Sequence, residues 1–111
     1  MARIKQIQNE NWPNHMATFT NGNRGRMVSV SVTDDESVTK TLVKQLPLLG
    51  LDFDPINKGD DMVISLGKST LEVSHTIDAP VELFEKHNDL GVVTNVEIID
   101  QNNNKIAIDF I

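Results

Sequence analysis

The sequence predicts an α+β domain built mainly on an antiparallel β meander of six or seven strands, curled or barrel-like, with one helix at its N-terminal end. Three observations predict it. Val28, Val30 and Val32 alternate with Ser29 and Ser31, the period of a strand that buries one face. From residue 38 onward, short apolar segments are separated by Gly, Pro, Asn and Asp clusters, the layout of strands joined by tight turns. Ahead of them, Trp12, Met16 and Phe19 recur at i, i+4 and i+7, which is one face of a helix. A chain of 111 residues accommodates a single domain, spanning 1–111.

Taken in order, residues 1–10 carry too few apolar positions to choose between a strand, a helix lead-in and a tail. The helix is expected to start with Asn11 as cap and Pro13 in its first turn, and to stop near Asn21-Gly22. Residues 28–32 form the first clear strand, Asp34-Asp35-Glu36 a turn, and Val38 to Leu46 a second strand rich in β-branched residues. Lys40 and Lys44 are read as pointing outward from it. Pro47 lacks a ladder donor and Gly50 marks a bend, so a third, separate strand is expected over 51–54, closed by Pro55. Asn57-Lys58-Gly59-Asp60 is turn chemistry leading to Met62–Leu66, and Gly67-Lys68-Ser69-Thr70 turns into a strand whose Leu71, Val73, His75 and Ile77 share a face.

For 79–87 two readings stand: a short second helix capped by Asp78 with Val81 and Phe84 inward, or an extended crossing. Val92 to Ile99 is a strand, Asp100 to Asn104 a turn, and Lys105 to Ile111 the last strand. That strand is apolar on both faces, so it sits inside the sheet or is an edge covered by another chain.

Composition narrows the function. Hydrophobic residues form 39% of the chain, enough for a core, yet no run nears the roughly 18 apolar residues of a membrane span. The start, Met1-Ala2-Arg3-Ile4-Lys5-Gln6, continues into polar residues, so a secretory signal is not expected. The absence of cysteine removes disulfides, thiolate nucleophiles and Cys-based zinc sites, and fits a cytoplasmic location. A net charge of -6 opposes nucleic acid; Arg24, Arg26, Lys40 and Lys44 are the nearest thing to a basic patch, with no Phe or Tyr stacking platform among them.

The candidate binding residues are Asp52, Asp54, Asp61 and His75. Oxygen-rich loops of the kind formed by Asp52, Asp54, Asp60 and Asp61 hold Mg²⁺ or Ca²⁺, and His75 falls on an apolar strand face where its imidazole is partly buried. An EF-hand is excluded, because Asn57 and Val63 stand where the loop needs glycine and glutamate. The simpler reading is a solvated strand face and a structural histidine. His15 and His87 have nothing near them in sequence to orient them as ligands, and no element carries two histidines at metal spacing. Gly67-Lys68-Ser69-Thr70 is no phosphate loop: Met62 replaces the first glycine and a strand follows in place of a helix. No G-x-S-x-G motif is present. Neither a cofactor nor a metal site is expected.

Leu46-Pro47-Leu48-x-Gly50-x-x-Phe53-Asp54-Pro55, His75-x-Ile77-x-x-Pro80 and Val96-Glu97-Ile98-x-Asp100 together resemble a family of small bacterial proteins known only as a domain of unknown function. Trp12, Phe19 and the valine strand fit that family's start, so the resemblance covers nearly the whole chain. Gln45 and Phe53 stand where relatives carry Trp and Tyr. The resemblance implies the fold and no activity. Two functions are therefore weighed. One is a non-catalytic binding or assembly module, a homodimer through an exposed strand near 105–111. The other is a metal-assisted hydrolase or metal-binding protein using Asp52, Asp54, Asp61 and His75. A barrel carrying one small ligand is a third possibility, limited by chain length.

Overall fold

The structure, a computed structural model, describes residues 3–54 and 61–111; nothing is said of the Asp54 side chain. The elements are β1 (Arg3–Gln6), a 3-10 turn (Asn9–Asn11), α1 (Trp12–Asn23), β2 (Met27–Thr33), β3 (Thr39–Asp54), β4 (Asp61–Leu66), β5 (Val73–Ile77), β6 (Pro80–His87), β7 (Val93–Asp100) and β8 (Lys105–Phe110). All ladders are antiparallel, in the order β1-β6-β7-β8-β2-β3-β4-β5. Two meanders, β2 to β5 and β6 to β8, are joined where β8 pairs with β2.

This order forces the sheet to curl. β5 is eighth in the order and β6 second, so in a flat sheet six inter-strand steps of about 4.8 Å would hold them roughly 29 Å apart. Only Asp78 and Ala79 connect them, and three Cα steps of 3.8 Å reach about 11 Å. The sheet therefore bends round until the end of β5 meets the start of β6, without closing into a barrel. Ala79 takes a left-handed φ of 48° in this link and its carbonyl accepts from the Gln101 N–H at 3.0 Å.

Three of the hairpins share one turn design. Asp34, Asn88 and Asp100 each place a side-chain oxygen on the backbone N–H groups two and four residues later, at 2.9 to 3.1 Å. The residue three positions on is left-handed each time: Ser37 (φ 67°), Gly91 (φ 80°) and Asn103 (φ 65°). This is the Asx chemistry that makes short polar residues turn formers.

Pro47 and Gly50 bend β3 but do not divide it, a correction to the two separate strands expected. After Pro47 the strand leaves β2 and its freed edge is met by the end of α1. The Gly25 N–H donates to the Leu48 carbonyl at 2.8 Å, Arg24 Nε to the Leu49 carbonyl at 3.2 Å, and the Thr20 hydroxyl bridges both backbone groups of Leu51 at 3.1 Å. A strand edge that would otherwise strand buried polar groups is thereby satisfied. Gly50 permits the approach, since a Cβ there would stand 3.1 Å from Thr20 Cγ2.

The core lies between α1 and the concave face. Trp12, Met16, Phe19, Leu48, Leu51, Met62, Ile64, Leu83, Ile98 and Ile108 are all buried. Trp12 meets Phe53 edge-on at 5.2 Å and donates to the Ile7 carbonyl at 2.9 Å; Phe19 meets Phe110 at 6.1 Å.

Several expectations are corrected. Of the two readings for 79–87 the extended one holds and the helix does not: residues 80–87 form β6, the ladders to β1 and β7 prevail, and Ala79 in the left-handed region leaves Asp78 unable to cap. Leu83 is buried there, whereas Val81 is exposed. Asn11 makes no side-chain cap because the 3-10 turn feeds directly into α1, and the helix passes through Gly22 to Asn23, with Gly25 left-handed at φ 91° beyond it. Residues 3–6 form an edge strand. The strand near 105–111 is not an edge: β8 is bonded by β7 on one side and β2 on the other, so it sits inside the sheet, with Ile106 and Ile108 buried. The turn over 57–60, with Asp60, and the closing role of Pro55 lie outside the described residues.

Candidate functional site

The sheet separates the residues that the sequence grouped. His75 is paired with Ile64, which is paired with Leu51, so all three face the concave side. Asp52 is paired with Val63, and Val63 with Thr76, one residue out of phase and hence on the opposite face. Asp54 occupies the register position opposite Asp61. Asp52 is solvent-exposed and Asp61 half-buried. His75 and Asp52 therefore open on different sides of the sheet. Among the described residues no group of three or more His, Asp or Glu side chains is arranged to hold a metal ion.

His75 instead sits where two clefts meet. One, of about 290 Å³, is lined by Val32, Asp34, Val38, Lys40, Leu42 and His75. The other, of about 250 Å³, runs between β5 and the β7–β8 turn, with Asp78, Asp100 and Asn104 on its walls. Lys40, exposed as expected, borders the first cleft. The consecutive residues His75, Thr76, Ile77 and Asp78 all line the second cleft. Since neighbouring strand residues point to opposite faces, a cavity touched by all of them is bordered by the strand's edge. Among the described residues β5 pairs only with β4, which leaves its other edge free of them. His75 is half-buried and has no side-chain hydrogen bond to a described residue.

A second constellation lies where α1 crosses β6. Glu85 is 3% exposed, and its two carboxylate oxygens accept from two imidazoles: His15 Nε2 on α1 at one oxygen, His87 Nε2 at the other, the latter at 2.9 Å. A buried carboxylate is costly unless paired, and these two rings are the partners that meet it. Lys5 and Arg3 on β1 stand directly across the ladder from Glu85 and His87. His87 is a quarter exposed and opens on a cavity of about 310 Å³, lined also by Arg3, Asn88, Asp89, Leu90 and Gly91.

The model of the Family of unknown function (DUF5335) matches residues 3–111, almost the full chain. The chain belongs to this family. An uncharacterized protein of Aquifex aeolicus (strain VF5) is 29% identical over 97 residues, which cover 87% of this chain and 82% of that protein. No solved structure matches. The resemblance read from the sequence thus agrees with DUF5335 membership, and membership brings no activity with it.

In this DUF5335 domain the Glu85 constellation becomes visible only when 79–87 takes the extended one of its two readings. In a helix, residues two apart do not face each other; in a strand, Glu85 and His87 share a face. The signal was the E-x-H spacing, legible only once the segment is known to be extended. His15 belongs to the same node through the tertiary fold alone.

Proposed function

We propose that this DUF5335 domain is a non-catalytic binding module that takes up an extended peptide segment along the free edge of β5. The observation that carries this reading is the position of that edge, unpaired among the described residues and bordering the clefts that meet at His75. An added strand would satisfy the edge's backbone groups, while the adjoining pocket would select alternate side chains. Val32, Val38 and Leu42 offer an apolar wall, with Val38 and Leu42 more than a third exposed. Asp34, Asp78 and Asp100 outnumber Lys40 around the clefts. The favoured segment therefore alternates apolar and basic residues.

The test is a titration of the ¹⁵N-labelled protein with a short peptide alternating valine and lysine, beside its valine–glutamate counterpart. The lysine peptide is expected to shift the amides of 73–78 saturably and the glutamate peptide not to. Equal responses to both, or shifts that avoid β5, would remove the support.

A further inference from the structure

We propose that the cavity beside the β6–β7 turn is a binding site for a small oxyanion, a carboxylate or a tetrahedral phosphate-like group, held between Arg3 and His87. The site is independent of the β5 edge.

The chemical class follows from what the cavity has left to offer. Asn88 Oδ1 is already taken by the N–H groups of Leu90 and Val92, and the Asn88 carbonyl by the N–H of Gly91. Asp89 has an interaction of its own. The two carboxylate oxygens of Glu85 are occupied by His15 and His87. The Asn88 and Glu85 acceptors are thus engaged within the protein. The Arg3 guanidinium makes no hydrogen bond or ion pair to a described residue, and it lines the same cavity as His87. A guanidinium carries five N–H donors and no acceptor. What fits beside unspent donors is an acceptor-rich anion.

His87 supplies the second contact, and the buried carboxylate sets its orientation. With Nε2 donating to Glu85, the ring presents Nδ1 as its remaining polar atom; in the imidazolium form this is an N–H donor. Glu85 fixes the ring, and His15 occupies the other oxygen from α1, so Glu85 and His15 are positioning residues. The register gives the site its shape: Arg3 is the direct cross-strand partner of His87. The charged and titratable groups facing His87 are Glu85 on its own strand, Arg3 and Lys5 on β1, His15 on α1 and Asp89 in the turn; the β7 partner, Val93, is apolar.

The experiment is a ¹⁵N titration with sodium sulfate, whose charge does not change near neutrality, and separately with sodium acetate, against sodium chloride at matched ionic strength. The expected result is a saturable shift at Arg3 and at 87–91 with sulfate or acetate but not chloride. Arg3→Gln and His87→Gln are each expected to weaken it roughly tenfold, the scale of one charge-assisted hydrogen bond. Sulfate above acetate would name a phosphate-like ligand, and the reverse a carboxylate. Arg3 is exposed, so Arg3→Gln remains readable if a change at the Glu85 node fails to fold. A shift that grows linearly with any salt, or an affinity unchanged in both variants, would overturn the proposal.

Discussion

His75 and Asp52 stand on opposite faces of one sheet, separated by a single step of register: His75 is in line with Ile64 and Leu51, Asp52 with Val63 and Thr76. A period of two makes this separation absolute for a regular ladder. The two side chains should therefore act independently. In a double-variant cycle of His75→Ala and Asp52→Ala, the unfolding free energies are expected to add within about 0.5 kcal/mol. A larger coupling, read from urea denaturation, would place the two side chains in contact.

Thr20 is the fastening between α1 and the bent half of β3. Its hydroxyl donates to the Leu51 carbonyl and accepts from the Leu51 N–H, so Thr20→Val keeps the volume and leaves two buried backbone groups unpaired. The expected loss is about 1 to 3 kcal/mol, seen as a lower urea midpoint with an unchanged slope. Thr20→Ser keeps the hydroxyl and should lose less.

Gly67 sets the turn into β5. A Cβ there would stand 2.0 Å from the Thr70 carbonyl oxygen and 2.9 Å from the Glu72 nitrogen, both backbone atoms. Gly67→Ala must displace the turn, which costs at least about 1 to 3 kcal/mol. The change should appear in the amides of 67–77 before any global loss of structure. Gly22→Ala, at a helical position where a Cβ meets nothing within 4 Å, is the control and should be neutral or stabilising.

Trp12 is 1% exposed, hydrogen-bonded to Ile7 and set edge-on against Phe53. Its emission should be blue-shifted in the native protein and move to the red in one step on unfolding. Trp12→Ala is expected to cost roughly 3 to 5 kcal/mol.

Much of the fold was legible because local chemistry and tertiary demand agree. The Val28–Val30–Val32 alternation, the Trp12–Met16–Phe19 stripe and the Asp34 and Asp100 turns each carry their structure in a few residues. Segments 3–6 and 80–87 were not, since short strands acquire their identity from ladders formed with distant residues. The curl was hidden for the same reason: it follows from the two-residue link at Asp78-Ala79 combined with a strand order that no local pattern states. The candidate residues divide similarly. His75 was placed on the right face by its period, whereas its link with Asp52 rested on proximity in sequence, which the pleat cancels. Glu85 reads like its strand neighbour Glu82, as a solvated carboxylate, until the two imidazoles that meet it are in view.

The central claim is that the free edge of β5 receives an extended basic and apolar segment. Its most direct measurement is the affinity of the valine–lysine peptide for the wild type and for Leu42→Asp and His75→Ala, read from the amide shifts of 73–78. Leu42 is exposed, so its variant should fold. A saturable response at β5 that moves to the apolar wall and weakens with His75→Ala is the predicted result, with Leu42→Asp changing the side-chain preference. Shifts confined to the β1 edge, or an affinity indifferent to both substitutions, would contradict it.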